Sequence, residues 1–169
     1  MAIPCGTFRG RVWRMLDIRW QRQPYESGSH LDGQRFNRPG QHALYLGIDH
    51  AIAIAEFHQA LVRPGTLAAY DVISDRIVDL TQSEVREAIG TDLTVLGCEW
   101  RRIAALERKT PPTWDLADRL IAEGAHGAFV PSFQRDRATN LVLWRWHRAG
   151  AGGEGAAVTL VDPGGDLVP

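Results

Sequence analysis

Segments typical of strands and of helices follow one another along this chain without the regular β-α-β alternation of a doubly wound parallel sheet. Runs of β-branched and aromatic residues predict strands, and apolar residues at helical spacing predict helices. The predicted strands cover residues 8–16, 43–47, 66–73, 76–80, 127–132 and 140–146. The predicted helices cover residues 50–62, 81–90, 97–109 and 113–124. This mixed order favours an α+β fold.

Short-range signals indicate where two of the helices begin and end. Asp49 precedes the first predicted helix and has the side chain of an N-cap. Thr81 and Glu84 form a capping-box pattern for a short helix that should stop at Gly90.

The length of 169 residues is that of about one domain with its own core. Residues 17–42 are rich in Gly, Pro, Ser and Asn and predict a long loop, which in a compact domain is usually functional or disordered. Residues 149–169 predict a Gly-rich linker and C-terminal tail that could include an edge strand. The G-x-G-x-x-G pattern at residues 150–155 belongs to this linker, because no β-α-β unit can follow it.

Charge and composition limit the classes of function. A net charge of -1 argues against a general nucleic-acid surface, which needs an excess of basic residues. Lys109 is the only lysine among 19 basic residues, so nearly every cation is a guanidinium suited to phosphate or carboxylate, although a GC-rich genome would produce the same bias. With no export signal and no long apolar run, we expect a cytoplasmic protein that contacts no membrane.

Histidine and cysteine spacing predicts no metal site. Cys5 and Cys98 lie far apart, and none of the six histidines has the spacing of a metal ligand set. His42 and His58 stay open as weak site candidates because they flank the strand at 43–47 and the helix at 50–62.

Glu56 is the most informative residue of the helix at 50–62, which is apolar nearly all round and therefore should be buried. The main core stripe of this helix is predicted to be Ile54, Phe57 and Leu61. Glu56 lies instead on a flank of mostly small side chains, which are those of Ile52, Ala53 and Ala60. Because small neighbours leave space beside its carboxylate, Glu56 is expected to border a cleft.

Polar side chains beside predicted strands supply further candidates. The stretch GQRFNRPGQHALYLG, residues 33–47, places Arg35 directly before an apolar strand, which predicts a pocket for an anionic ligand at the edge of a sheet. Arg14 projects from the first strand between apolar neighbours. Ser132 ends the strand GAFVPS, where its hydroxyl could bind a ligand or cap the turn, and Tyr45 is core by default.

Taken together, these segments resemble the RES domain, from about Val12 to Trp146. The resemblance rests on Arg14, on GQRFNRPGQHALYL, on the AIAIAE helix with Glu56, and on GAFVPSFQRDRATNLVLW. It assigns residues 1–148 to the RES domain. The site residues that the resemblance implies are Arg14, Arg35, Asn37, Tyr45, Glu56 and Ser132.

The resemblance also implies a fold and an activity. The fold would be a single domain of small twisted mixed β-sheets with peripheral helices, similar to ADP-ribosyltransferase toxins, with a cleft that binds NAD without a Rossmann motif. The activity would be that of a toxin that cleaves the nicotinamide–ribose bond of NAD and passes ADP-ribose to a protein target, water or phosphate. Its partner would be an Xre-type helix-turn-helix antitoxin.

The same resemblance implies that Asn37 binds NAD together with Arg14, Arg35 and Tyr45, and it implies more specific roles for the other site residues. Glu56 would stabilise the ribosyl cation, Arg14 and Arg35 would orient the phosphates, Tyr45 would pack against the nicotinamide or ribose, and Ser132 would position Glu56 or the carboxamide. Two other functions stay open at this point, a non-catalytic interaction module on the same fold and an RNA-cleaving toxin. The near-neutral charge and the lack of paired catalytic histidines disfavour the second.

Overall fold

The computed structural model of the protein describes residues 3–59 and 62–167. The strands are Gly6–Asp17 (β1), Leu44–Gly47 (β2), Gly65–Asp79 (β3), Gly127–Pro131 (β4), Thr139–Leu143 (β5), Trp146–Arg148 (β6) and Ala156–Val161 (β7). The α-helices are Ser29–Asp32 (α1), His50–His58 (α2), Ser83–Ile89 (α3), Leu93–Leu96 (α4), Trp100–Ala105 (α5) and Pro112–Ala122 (α6). A short 3-10 helix, Ile18–Trp20, follows β1.

The strands of the described ranges form one mixed sheet in the order β1-β2-β5-β4-β3-β7-β6. β1 also pairs with β3 over nearly its whole length, so the chain of pairings from β1 through β2, β5, β4 and β3 closes into a ring. The β3–β4 and β6–β7 pairs are parallel, and the other pairs are antiparallel. The predicted α+β single-domain class is confirmed, with the strands connected in one sheet.

The ring opens between β1 and β2, which are joined only through the pair Trp13–Gly47 in the described structure. α2 packs beside this opening, against β1 and β2. Gly47 is required there, because an added Cβ would lie 2.7 Å from the backbone nitrogen of Ala53. The close approach of α2 to the end of β2 therefore sets one wall of a cleft.

The apolar core has two parts, one on each face of the ring. Inside the ring, side chains of β1, β2, β3, β5 and β7 pack together, among them Val12, Leu16, Tyr70 and Leu141. On the outer face, α3 to α6 cover the sheet through residues such as Leu96 and Leu120. The helices are thus peripheral, as predicted.

α2 differs from its predicted pattern in which residues face the protein. The Asp49 cap is confirmed, since its Oδ1 accepts a hydrogen bond from the Ile52 N–H at 2.9 Å. The predicted core stripe is wrong, because Ile54 is 36% exposed whereas Ile52 and Ala53 are buried. Leu61 and Ala60 lie outside the described residues. Glu56 follows Ile52 and Ala53 by one helical turn, so it shares their face, towards the sheet.

β3 is a single strand where two were predicted, at 66–73 and 76–80. Ser74 in its middle still pairs with Phe8, and a register shift between Gly6 and Phe8 absorbs the irregularity. The polar residues 74–76 therefore lie within one strand, at an irregularity in its pairing with β1.

The remaining helices also depart in part from prediction. α3 begins at Ser83 without a side-chain cap, because Thr81 donates its hydroxyl to Asp79 instead. Gly90 ends α3 in the left-handed conformation, as predicted, with φ 72°. The helix predicted at 97–109 is reduced to α5, and the short α4 precedes it with Asp92 as its cap.

The end of the chain contributes to the sheet. The strand predicted at 140–146 divides into β5 and β6, because the N–H groups of Trp144 and Arg145 both bond the His126 carbonyl, at 2.9 and 3.1 Å, which interrupts the regular pairing. β7 lies between β3 and β6, so it is internal to the sheet and not the edge strand that the sequence suggested. Its residues Ala156 and Val158 are fully buried. Along the described residues, no helix combines the length and apolarity needed to cross a membrane.

Candidate functional site

Two adjoining cavities lie where β1 and β2 diverge. The larger has a volume of about 430 Å³ and lies among β1, the loop after it, β2 and α2. The smaller, of about 100 Å³, reaches towards α5 and the loop after β4. The residues that line both are Gln34, Tyr45, Glu56, Gln59 and Asn140. The two spaces therefore meet beside the Glu56 carboxylate.

The Glu56 carboxylate is held by one of its two oxygens. Oε1 accepts a hydrogen bond from the Ser132 hydroxyl at 2.6 Å and another from the Asn140 side-chain amide at 2.7 Å. Within the described residues no group donates to Oε2. One oxygen is thus fixed by the protein, and the other is available to a molecule in the cavities.

Ser132 is itself oriented by the loop that follows β4. Its Oγ accepts hydrogen bonds from the backbone N–H groups of Gln134 and Arg135, both at 3.2 Å. Because these donors occupy the hydroxyl oxygen, the Ser132 proton is directed to Glu56. The hydroxyl thus caps the turn, one of the two alternatives from the sequence, and also donates to Glu56, while a contact of Ser132 with a ligand stays a prediction.

Asn140 is the site residue that sequence reasoning missed. It lies near the start of β5 and pairs with Gly47 at the end of β2, so its side chain faces α2. The signal available in the sequence was a polar amide at the beginning of an apolar strand. Nothing local distinguishes such a residue from a turn former, because its partner Glu56 is 84 residues away.

Arg14 lines the larger cavity from β1. Its NH1 group donates to the backbone carbonyl of Glu26 at 2.7 Å and lies 3.4 Å from that of Pro24. Burial lowers the pKa of the guanidinium, and the neighbouring Tyr70 hydroxyl opposes this effect. Arg14 therefore ties the loop after β1 to the strand while its charge faces the cavity.

Arg35 lines only the smaller cavity. Its NH1 group donates to the carbonyls of Cys98 at 2.7 Å and Leu96 at 3.1 Å, and its guanidinium carbon lies 4.7 Å from the centre of the Phe133 ring. Burial lowers its pKa. The structure places Arg14 and Arg35 in different but adjoining cavities, and the expectation that both orient the phosphates stays a prediction.

The half-buried Tyr45 and the fully buried Asn37 are hydrogen-bonded to each other beside the cleft. The Tyr45 hydroxyl donates to Asn37 Oδ1 at 2.8 Å and accepts from the Phe36 N–H at 3.0 Å, so its hydrogen bonds are made to the protein, and the residue lines both cavities. Burial raises the pKa of Tyr45.

Asn37 is fully buried and does not line either cavity. Its amide nitrogen donates to the carbonyls of Ser29, Arg38 and Gln41 at 3.0, 3.3 and 2.8 Å. The expectation that Asn37 contacts a ligand is therefore corrected, because all its polar atoms are used to shape the loop.

His42 and His58, the two weak site candidates from the sequence, make their contacts outside the cavities. The ring of His42 stacks on that of His30 with 4.1 Å between centroids. His58 accepts a hydrogen bond from the Arg63 N–H at 3.4 Å. Neither residue lines either cavity.

Comparison with known proteins supplies a family and a fold. The sequence profile of the RES domain matches residues 11–161. Among solved structures, a chain of the M.tuberculosis MbcT-MbcA toxin-antitoxin complex aligns with a TM-score of 0.54 and 18% identity over 82% of this chain and 75% of that one, which shows a shared fold. An anti-CRISPR protein aligns with a TM-score of 0.39 and 13% identity over 94% of this chain and 99% of that one, a similarity that supports no statement about fold or function. No curated protein sequence matches this chain.

Proposed function

The chain belongs to the RES domain family, and we propose that it is the toxin of a toxin–antitoxin pair that cleaves the nicotinamide–ribose bond of NAD. The observation that carries this proposal is the Glu56 carboxylate at the junction of two cavities, held through Oε1 and with no donor to Oε2 among the residues that the structure describes. A carboxylate so placed suits a reaction that builds positive charge on a sugar.

The chemistry asks little of the protein beyond charge and position. As the bond between ribose C1′ and the nicotinamide nitrogen breaks, the electron pair leaves with neutral nicotinamide and the ribose becomes cationic. Glu56 Oε2 stabilises that charge and accepts a hydrogen bond from a ribose hydroxyl, as carboxylates do in glycoside hydrolysis. The acceptor oxygen then bonds to C1′ and releases its proton to solvent.

The cleft fits the proposed substrate in size and chemistry. A volume of about 430 Å³ falls within the range of about 300–1,000 Å³ typical of small-molecule sites. The Tyr45 ring offers a flat apolar surface beside Glu56, and Arg14 contributes positive charge to the same wall. Each of these groups is anchored from behind by hydrogen bonds, so little reorganisation is needed on binding.

Ser132, Asn140 and Arg35 act in this proposal as positioning residues. Ser132 and Asn140 fix the carboxylate, and Arg35 braces the loop that carries Ser132 through its contact with Phe133. The smaller cavity opens beside Glu56 and gives the acceptor a separate approach to the ribose. Water, phosphate and a protein side chain all stay candidate acceptors.

The proposed partner is an Xre-type helix-turn-helix antitoxin. An NAD-consuming enzyme harms the cell that makes it, so the activity requires a specific inhibitor until it is released. A protein of known structure that shares this fold was crystallised in a toxin–antitoxin complex, which supports the same arrangement here. Co-expression with the protein encoded beside it should then relieve toxicity.

The test compares the parent protein with Glu56→Gln, which keeps the shape of the side chain but removes its charge. Each is incubated with NAD and, separately, with RNA, and products are identified by mass spectrometry together with any modified protein. We expect nicotinamide release to fall at least about a hundredfold in the variant while NAD affinity changes little, because the lost interaction is made mainly in the transition state.

Glu87→Gln is the matched control, since Glu87 is an exposed helical glutamate in α3 that does not line either cavity. It should cleave NAD at the parent rate. If the parent releases no nicotinamide and binds no NAD, the chain is a non-catalytic module. Cleavage of RNA alone would establish a different toxin activity and overturn the proposal.

A further inference from the structure

A cluster of two arginines and one aspartate borders the larger cavity, at the end of β1 and beyond α2. Its members are Arg19, Arg63 and the carboxylate of Asp17 between them. Arg19 Nε lies 3.2 Å from Asp17 Oδ1, and Arg63 NH1 lies 3.5 Å from Asp17 Oδ2. Two guanidinium groups share one carboxylate, so the cluster keeps an excess of one positive charge at the cavity.

The contacts within this cluster orient its guanidinium groups without occupying all of their N–H groups. Arg63 lies over the Phe57 ring with its guanidinium carbon 4.2 Å from the ring centre, which fixes the plane of the group. The side chain of Arg19 is 77% exposed and uses Nε for Asp17, which leaves its two terminal nitrogens free to bind within the described structure.

Asp17 is the group that organises this arrangement. The backbone N–H of Arg19 donates to its carboxylate at 3.1 Å, and this bond, with the guanidinium groups, holds the pKa of Asp17 below its ordinary value. The side chain of Asp17 is only 22% exposed. It is therefore ionised at neutral pH and keeps both arginines facing the cavity.

The two arginines that the sequence singled out are less available for this role. Arg35 does not line the larger cavity, and Arg14 has NH1 committed to loop carbonyls. A dinucleotide whose nicotinamide ribose lies beside Glu56 must extend its phosphates along the larger cavity, since the smaller has a volume of only about 100 Å³. The exposed guanidinium groups that line that cavity belong to Arg19 and Arg63, whereas Arg14 is half-buried.

We infer that Arg19 and Arg63 form a phosphate subsite, which takes the diphosphate of the dinucleotide while Arg14 supports it from the inner wall. This inference rests on the proposed function and names residues that bind the substrate away from the reacting bond. Guanidinium groups suit the task because their planar N–H pairs bind phosphate oxygens in bidentate fashion. Phe57 directly follows Glu56 in α2, so the subsite and the carboxylate are fixed by one helix.

The test measures binding of two substrate fragments by calorimetry. ADP carries the diphosphate without a nicotinamide–ribose bond, and nicotinamide carries no phosphate, so neither is consumed. We expect R19A and R63A each to weaken ADP binding by at least about tenfold and to leave nicotinamide binding unchanged. R63K should fall between parent and R63A, because lysine keeps the charge but loses the planar fork.

R11A is the matched control. Arg11, on β1, also pairs with an aspartate, Asp71 at 3.0 Å, but it lines neither cavity. It should bind both fragments as the parent does. Thermal melts of all variants identify any that fail to fold, in which case R63K replaces R63A for the comparison.

The outcomes separate this inference from the proposed function. If R19A and R63A bind ADP as tightly as R11A, or if the parent binds no ADP, the subsite is wrong, and NAD cleavage by the parent would still support the proposed function. If ADP binding depends on Arg19 and Arg63 but the parent cleaves no NAD, the subsite stands and the proposed chemistry fails.

Discussion

Replacing Asn140 with alanine removes one of the two donors that hold Glu56 Oε1, and the structure predicts the size of the effect. The hydrogen bond is 2.7 Å long and has a charged acceptor. Bonds of this kind contribute about 1.5–3 kcal/mol, which corresponds to roughly 10- to 150-fold in rate if the interaction serves the transition state. We expect Asn140→Ala to lower nicotinamide release by that factor with little change in KM.

Two further variants sharpen this prediction. Asn140→Asp keeps the shape of the side chain but places a second carboxylate against Glu56. It should therefore lower the rate of nicotinamide release by more than Asn140→Ala does. In a Glu56→Gln background, Asn140→Ala should lower the rate of nicotinamide release almost no further, because the effects of two residues that act as a unit are not additive. Thr139→Ala serves as the control, since Thr139 neighbours Asn140 in β5 but does not line either cavity.

The assay is steady-state release of nicotinamide, with a thermal melt of each variant to exclude unfolding. A folded Asn140→Ala protein that turns over NAD at the parent rate would refute the reasoning. So would full additivity of Asn140→Ala and Glu56→Gln, because Asn140 would then act on something other than the carboxylate.

Three other predictions concern the surroundings of the site. Arg35→Ala should weaken NAD binding more than Arg38→Ala, measured by calorimetry, because Arg35 braces the cleft whereas Arg38 pairs with acidic side chains of α6; equal dissociation constants would contradict this. Asn37→Ala should lower the free energy of unfolding, measured in urea, by about 2–4 kcal/mol, because it leaves several buried groups without partners. A decrease in that free energy below about 1 kcal/mol would show that the loop does not depend on this amide. Burial lowers the pKa of His126, so the unfolded chain takes up its proton at higher pH than the folded protein does. His126 therefore contributes stability that is present above its ordinary pKa of about 6.5 and is lost as pH falls through the folded value; melting temperatures of the parent should drop over that range, and His126→Gln should reduce the drop.

The elements of the fold were predictable wherever a signal is local. The strands at β1, β2 and β4 follow from runs of β-branched and aromatic residues, and the Asp49 cap follows from a side chain that bonds an N–H three residues on. The continuity of β3 was not predictable, because β1 supplies the partners that carry its polar middle through the sheet. The insertion of β7 between β3 and β6 likewise depends on pairing across the chain.

The site likewise combines residues that the sequence pattern predicted with contacts that only tertiary packing specifies. Glu56 was identified as a cleft residue because its helical neighbours are small, and Ser132 because it ends a strand. Which oxygen of Glu56 is held, and by which partners, depends on residues 76 and 84 positions away. The role of Asn140 therefore depends on the pairing of β5 with β2, which brings its side chain to Glu56.

The arginines show the limit of the sequence most clearly. By itself the sequence determined the residue types, a carboxylate on a nearly apolar helix and guanidinium groups beside strands, and with them the family. Only the tertiary structure decided which guanidinium groups donate to backbone carbonyls, as Arg14 and Arg35 do through NH1, and which are exposed at the larger cavity and pair with a carboxylate, as Arg19 and Arg63 do. The physical reason is that a charged side chain reaches several ångströms and binds whatever acceptor the fold brings within that reach, which local spacing along the chain does not specify.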